Sequence, residues 1–184
     1  ISEDSFIKYS TKGNNILVYH SDFNIDKGNT LHSEGIELAI NDSLVNAEKK
    51  FIEALSYNSE NPIILNSLGN LAYKERNIKK AITYFNRAVF SSDSTFHIAF
   101  LNLGKSYGLH GEQEIAERYY RYVILNSDTN LLVGLSHYGM AKMYLDYGYI
   151  EMSQKSLNIA KKKLEDFSDL EEYIEKLELK LKHY

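Results

Sequence analysis

The chain has 184 residues and a formal net charge of −4 at pH 7, with 21 Lys and Arg against 25 Asp and Glu. This length fits one domain or one short repeat array, and the charge balance argues against a nucleic-acid-binding protein, which needs a clustered basic face. Cysteine is absent, which excludes disulfides and thiolate metal sites, and no apolar run is long enough to insert into a membrane. A single proline, with Leu, Ile and Ala at three- and four-residue spacings, predicts an all-α chain.

The N-terminal segment, residues 1–30, shows no helical pattern and is predicted to be irregular. Its apolar run Ile16-Leu17-Val18-Tyr19 follows a turn-like stretch at 11–15. The run indicates either a short strand or an extended strap that lies on the first helices, and periodicity does not separate the two. A further alternative is that the segment fills a binding groove of its own chain or of another chain. Because the chain begins with Ile1 and not with Met, we interpret it as a mature form or an excised piece.

From residue 31 onward the sequence repeats with a period of about 34 residues. Two short patterns recur at corresponding positions: a Leu-Gly pair, and an alanine followed four residues later by an aromatic. The clearest examples are Ala47/Phe51, Leu68-Gly69, Ala81/Phe85, Leu103-Gly104 and Ala116/Tyr120. We therefore predict a degenerate first repeat at 31–61 and full repeats at 62–95, 96–130 and 131–166.

These patterns resemble the tetratricopeptide repeat family, whose motif of about 34 residues combines Leu-Gly, Tyr, Ala, aromatic and Pro positions. The resemblance covers residues 31–165. Three features depart from the family: no repeat begins with Trp, Asp93 and Asp128 replace the closing Pro, and Met140-Ala141 stands where Leu-Gly is expected. The resemblance implies a right-handed α-solenoid of stacked helix-turn-helix repeats.

Small residues are expected where the two helices of a repeat come close together. A large side chain at Gly69 or Gly104 would hold the helices apart, and Phe85, Tyr120 and Phe100 are expected to fill the space between neighbouring helix pairs. Gly111 is expected to take a positive φ in the turn that ends a first helix.

The C-terminal segment, 167–184, is predicted to be a helix that caps the repeats. Ser168 and Glu171 form a capping-box signature at its start. An apolar stripe follows, formed by Leu170, Tyr173, Ile174, Leu177 and Leu181. In the alternative, this helix leads into a further segment, such as a coiled coil or a membrane span.

Catalytic and ligand-binding motifs are scarce. Residues Ala99–Ser106, AFLNLGKS, match the loose phosphate-loop pattern of an ATP-binding protein. The match lacks the physical basis of such a loop, because Phe100, Leu101 and Leu103 are large and apolar where a phosphate loop is Gly-rich and follows a strand. The six histidines show no metal-binding spacing and are expected to be scattered over the surface or a groove. We predict no enzyme activity, no cofactor and no metal.

The family resemblance implies that the first helices line a concave face that binds partners. Asparagine amides on this face offer both a donor and an acceptor, and so can clamp the backbone of an extended peptide. Lysines form a cationic stripe for a carboxylate, and tyrosines and leucines supply apolar pockets. The predicted groove residues are Asn66, Asn70, Tyr73, Lys74, Leu101, Asn102, Lys105, Leu109, Tyr138 and Lys142.

Part of this set is similar to the carboxylate clamp of family members that bind chaperone C-terminal tails. Asn70 and Lys142 match that clamp, whereas Asn66, Lys105 and Tyr138 depart from it. The departures argue against that specific ligand.

We therefore predict a non-enzymatic protein–protein interaction scaffold that binds a peptide or a partner helix in its concave groove. No nucleic-acid partner and no membrane insertion by this segment are expected. The alternative is a sensory or regulatory domain of a larger signalling protein, membrane-anchored or not, because repeat arrays of this type often precede such parts. The absence of cysteine favours a bacterial cell-envelope location over the cytoplasm.

Overall fold

The computed structural model describes residues 7–12, 15–20 and 27–184, and it divides into two compact units, of which the second begins at His97. The first unit holds strands β1 (Ile7–Lys12) and β2 (Asn15–His20) and helices α1 (Lys27–Ile40), α2 (Leu44–Leu55), α3 (Pro62–Lys74) and α4 (Ile78–Ser91). The second unit holds α5 (His97–His110), α6 (Gln113–Asn126), α7 (Asn130–Asp146), α8 (Ile150–Lys163), a 3₁₀ turn at Ser168–Leu170, and α9 (Glu171–Leu181). Within 27–184 every regular element is helical, as predicted.

The N-terminal segment contains an antiparallel hairpin, so the strand alternative describes its apolar run. The register pairs Ile7 with His20 and Tyr9 with Val18. Residues 13 and 14 of the turn-like stretch lie outside the described residues. Strand β2 contacts α3, and this contact matters because a lone two-stranded hairpin is marginally stable in water.

The helices pack as four antiparallel pairs, α1 with α2, α3 with α4, α5 with α6, and α7 with α8. The turn inside each pair has the same backbone geometry, in which one residue adopts a positive φ and the next N–H bonds back to the first helix. In the third pair the N–H of Glu112 donates to the carbonyl of Tyr107 at 2.9 Å, a typical helix C-cap. In these four turns the residues with positive φ are Asp42, Arg76, Gly111 and Gly148. The positive φ predicted for Gly111 is confirmed.

Glycine allows close contact between the helices of a pair. A Cβ atom on Gly104 would lie 2.8 Å from ring atoms of Tyr120, which is too close for van der Waals contact. Gly69 makes the same contact with Phe85. The close approach predicted at both glycines is confirmed. Phe85 packs against the glycine of its own pair, although it was expected between neighbouring pairs, whereas the Tyr120 ring also lies close to Gly139 of the next pair. The aromatic rings therefore fill the space that the missing glycine side chains leave open.

Helix starts follow the expected capping chemistry in one place and depart from it in another. The Asn61 side chain accepts hydrogen bonds from the N–H groups of Ile63 and Ile64, and Pro62 occupies the first turn of α3. The capping box predicted at Ser168 and Glu171 is wrong. Ser168 lies inside the 3₁₀ turn, and the start of α9 has no side-chain cap because the buried Leu170 occupies the cap position.

The C-terminal helix α9 packs against α7 and α8 through the predicted apolar stripe. Leu170, Ile174, Leu177 and Leu181 are buried in this contact region, and Tyr173 is half-buried. Over the part of the chain that the structure describes, no helix combines the length and the apolar character that crossing a membrane requires.

Residues Ala99–Ser106 lie in the interior of α5, which contradicts the phosphate-loop interpretation. From Leu101 onward their backbone N–H groups are used in helical hydrogen bonding and cannot turn toward a phosphate. The side chains of Phe100, Leu101 and Leu103 are buried, and the Ser106 hydroxyl donates to the Asn102 carbonyl at 2.8 Å.

Candidate functional site

In the second unit, four of the predicted groove residues lie on the neighbouring helices α5 and α7. Helix α5 contacts α7, and α7 contacts α9, so the first helices of successive pairs lie side by side. Lys105 and Leu109 are four residues apart on α5, and Tyr138 and Lys142 are four apart on α7, which places each pair on one side of its helix. The charge of Lys142 acts on Lys105 across the two helices. We call these four residues the α5–α7 face.

Lys105 has an unusually low pKa for a lysine. Burial, together with the smaller effect of repulsion from the Lys142 charge, lowers the pKa of its ammonium to about 8. Within the described part of the chain, neither Lys105 nor Lys142 has a hydrogen bond or an ion pair. A half-buried cation without a counter-charge is unfavourable, so an anion placed beside it would be bound favourably.

The remaining members of the face are apolar or aromatic. Leu109 is 41% exposed, so its side chain is available for contact. Tyr138 is half-buried, its hydroxyl donates to the carbonyl of Tyr173 on α9 at 3.4 Å, and burial raises its pKa. Tyr173 therefore borders the face. The sequence placed Tyr173 only in the apolar stripe of the capping helix. Its spacing within that stripe did not indicate that it also contacts Tyr138.

Two other residues predicted for the groove are part of the packed interior of the second unit. Leu101 is 0% exposed, although it lies one turn before Lys105 on α5, and Asn102 is also buried. Asn102 takes part in an interaction in the structure. These two residues support the backbone beneath the face, and we leave them out of the proposed binding surface.

In the first unit, the predicted groove residues lie together on α3. Asn70 follows Asn66 by four residues, and Tyr73 and Lys74 follow Asn70 by three and four, which places them on one side of the helix. We call these four residues the α3 face. Asn66 is only 1% exposed, and burial raises the pKa of the half-buried Tyr73, with an opposing effect of Arg76. Strand β2 contacts this helix.

Lys74 differs from the other two lysines of the predicted cationic stripe because its charge is compensated. Its ammonium lies 2.7 Å from a carboxylate oxygen of Asp42 and donates to the Ala39 carbonyl at 3.3 Å. Asp42 is the positive-φ residue of the α1–α2 turn and corresponds to Gly111 in the third pair. Sequence reasoning missed this pairing because it considered only first-helix residues.

The histidines support no metal site. Among residues 7–12, 15–20 and 27–184, no group of three or more His, Asp or Glu side chains could hold a metal ion. The expectation that all histidines are scattered over the surface or a groove is wrong for His32. That residue is buried, and its Nε2 lies 2.9 Å from the Ser67 hydroxyl, which joins α1 to α3.

Comparison with known proteins places this architecture among tetratricopeptide repeat structures. No family model matches the chain. The anaphase-promoting complex subunit CDC16 of Saccharomyces cerevisiae is 29% identical over 133 residues, which cover 68% of this chain and 14% of that protein. The chain thus spans a small part of the curated relative that it matches.

Solved structures show the same fold at low sequence identity. A chain of the APC/C hetero-tetramer Cut9–Hcn1 matches with a TM-score of 0.68 and 16% identity, over 82% of this chain and 30% of that one. A tetratricopeptide repeat protein from Parabacteroides merdae ATCC 43184 matches with a TM-score of 0.67 and 18% identity, over 86% of this chain and 60% of that one. The predicted all-α solenoid of tetratricopeptide-like helix pairs is thereby confirmed.

Proposed function

We propose, from the tetratricopeptide-repeat fold of this chain, that it is a non-enzymatic protein-interaction scaffold. Its α5–α7 face would bind an extended peptide or a partner helix that carries an acidic group. The observation that carries the proposal is the half-buried Lys105 beside Lys142, two cations without a counter-charge in the described residues.

The chemistry of the face supports an acidic partner. With a pKa of about 8, Lys105 is mainly protonated at neutral pH and can donate charge-assisted hydrogen bonds to a carboxylate. A carboxylate would offset both the burial of Lys105 and its repulsion from Lys142. Leu109 and Tyr138 flank the lysines and offer apolar contact area to neighbouring side chains of the partner.

The similar proteins support a role in assembly. One is named as a subunit of the anaphase-promoting complex, and another is a chain of a hetero-tetramer. Repeat solenoids present extended surfaces to their partners. We therefore propose that this chain holds a protein partner in an assembly and has no catalytic role.

An array of extended peptides tests the proposal. Each acidic peptide is matched with a counterpart in which Asn or Gln replaces Asp or Glu. The wild-type chain is expected to bind acidic peptides about 10-fold or more tightly than their counterparts, the size typical of a hydrogen bond to a charged group. Lys105→Gln should remove this preference, because the amide lacks the charge.

Lys155→Gln is the matched control, since Lys155 is an exposed lysine on α8, away from the face. It should leave the acid preference unchanged. An equal acid preference in the wild type and in Lys105→Gln, or no acid preference in the wild type, would contradict the proposed face.

A further inference from the structure

The α3 face differs from the α5–α7 face because a strand of the same chain contacts its helix. Strand β2, Asn15–His20, packs on α3, which also contacts α1, α2 and α4. An amphipathic helix with one partner buries a single stripe. Helix α3 instead buries eight of its 13 residues, including Ile63 at 2% exposure and Asn66 at 1%. It is therefore covered on more than one side, and β2 is one of the elements that cover it.

The polar residues of α3 suit an extended segment. Asn66 and Asn70 lie one turn apart on α3, and each takes part in an interaction in the structure. An asparagine amide can hydrogen-bond both the N–H and the carbonyl of an extended backbone. A helical partner could not offer these groups, because it uses them in its own hydrogen bonds. The compensation of Lys74 by Asp42 removes the need for an acidic group at this face.

The hairpin is suited to reversible docking. It has two strands, and such a hairpin needs a packing surface to be stable. The run Ile16-Leu17-Val18-Tyr19 is rich in residues that favour strands, and it is connected to α1 through the same chain. A segment tethered in this way competes with free ligands through its high effective concentration.

We infer that the α3 face is a strand-docking surface, that the chain's own β2 occupies it, and that its external partner is an extended, apolar segment that takes the place of β2. This inference concerns a different surface from the acidic-peptide site. It does not depend on Lys105 or Lys142.

The experiment measures binding of a fluorescein-labelled peptide with the sequence of residues 7–20 to the full chain, by fluorescence anisotropy. Val18→Pro removes a backbone N–H and disfavours a strand interior, so it should release β2 and expose the face. The variant is expected to bind the peptide about 10-fold or more tightly than the wild type. Val18→Thr keeps a β-branched residue and should bind as weakly as the wild type.

Two further measurements make the result specific. Asn70→Ala added to Val18→Pro should abolish most of the gained binding, which ties the peptide to the α3 face. The far-UV circular dichroism of each variant should match that of the wild type, which shows that the helices stay folded. Equal binding by the wild type and Val18→Pro, or no binding by a folded Val18→Pro chain, would overturn the inference. Lys105→Gln, in contrast, should leave binding of this peptide unchanged, so the two proposals fail separately.

Discussion

The α3 face and the α5–α7 face occupy corresponding helices of their pairs, yet they differ in charge and in covering. Lys74 is paired with Asp42, whereas Lys105 has no counter-charge in the described residues and its pKa is lowered to about 8. Helix α3 is contacted by β2, whereas Leu109 on α5 is 41% exposed. The repeat position thus determines which side chains share a face. Neighbours outside the repeated motif determine whether those side chains are available.

The largest expected effect comes from breaking the scaffold on which one of the two faces rests. A Cβ at Gly104 would collide with the Tyr120 ring, and the same ring also lies close to Gly139 on α7. Because the buried ring has no room to move, Gly104→Ala should lower the free energy of unfolding by about 2 kcal/mol, as overpacked cores do. Urea unfolding followed by circular dichroism measures this.

Gly108→Ala is the matched control on the same helix. Its Cβ would meet only the Ala116 Cβ, at 3.9 Å, which is an ordinary contact. Because alanine favours helices over glycine, this substitution should raise the free energy of unfolding by about 0.5 kcal/mol. If the two substitutions had equal effects, the close contact at Gly104 would not be the cause of the loss.

A lysine substitution in each face should change stability in opposite directions. Lys105→Met removes a half-buried cation without a partner and should raise the free energy of unfolding by about 2 kcal/mol at pH 7. Lys74→Met removes a partly exposed ion pair and should lower it by about 0.5 kcal/mol. Denaturant titrations of both variants measure the difference. A loss of stability in Lys105→Met would show that the cation is compensated.

The gain from Lys105→Met should also depend on pH. The folded chain holds the Lys105 proton with a pKa of about 8, against an ordinary value of 10.5. Between these values the unfolded chain binds more protons, so the stability of the wild type rises with pH. The gain should therefore be full below about pH 8 and shrink toward pH 9.5. If the gain in stability stayed constant between about pH 8 and pH 9.5, its cause would be improved packing by Met and not removal of the Lys105 charge.

Sequence patterns predicted the parts of the fold that a local repeat encodes. The close approach of the helices at Gly69 and Gly104 follows from residue size at fixed spacings, and the positive φ of Gly111 follows from glycine's conformational freedom. The positions of the aromatic rings inside each pair were not predicted, because they depend on how the pairs pack. The strand at 15–20 was only one of several alternatives, because a four-residue apolar run is too short for its periodicity to distinguish a strand from other structures.

The candidate site was less predictable, because availability depends on tertiary neighbours. Leu101 and Leu109 are both leucines of α5 assigned to one face, yet the first is buried and the second is exposed. Likewise, the sequence spacing of Lys74 and Asp42 carries no signal of their ion pair, which depends on the packing of α1 against α3. The failed capping box at Ser168 has the same origin, since burial of Leu170 determines where α9 begins.

The smallest expected effect comes from making the α3 face more like the α5–α7 face. Asp42→Asn removes the charge opposite Lys74 but keeps a residue that tolerates the positive φ of 61° at this position. The free energy of unfolding should fall by about 0.5 kcal/mol or less, because exposed ion pairs contribute little. Asp42→Ala, which tolerates that φ poorly, should cost about 1 kcal/mol more. If both variants lost the same free energy of unfolding, the loss would come from the ion pair and not from the positive φ. A near-neutral Asp42→Asn would instead mean that Asp42 mainly sets the charge of the α3 face, so the two faces differ in the ligands they accept more than in how firmly they fold.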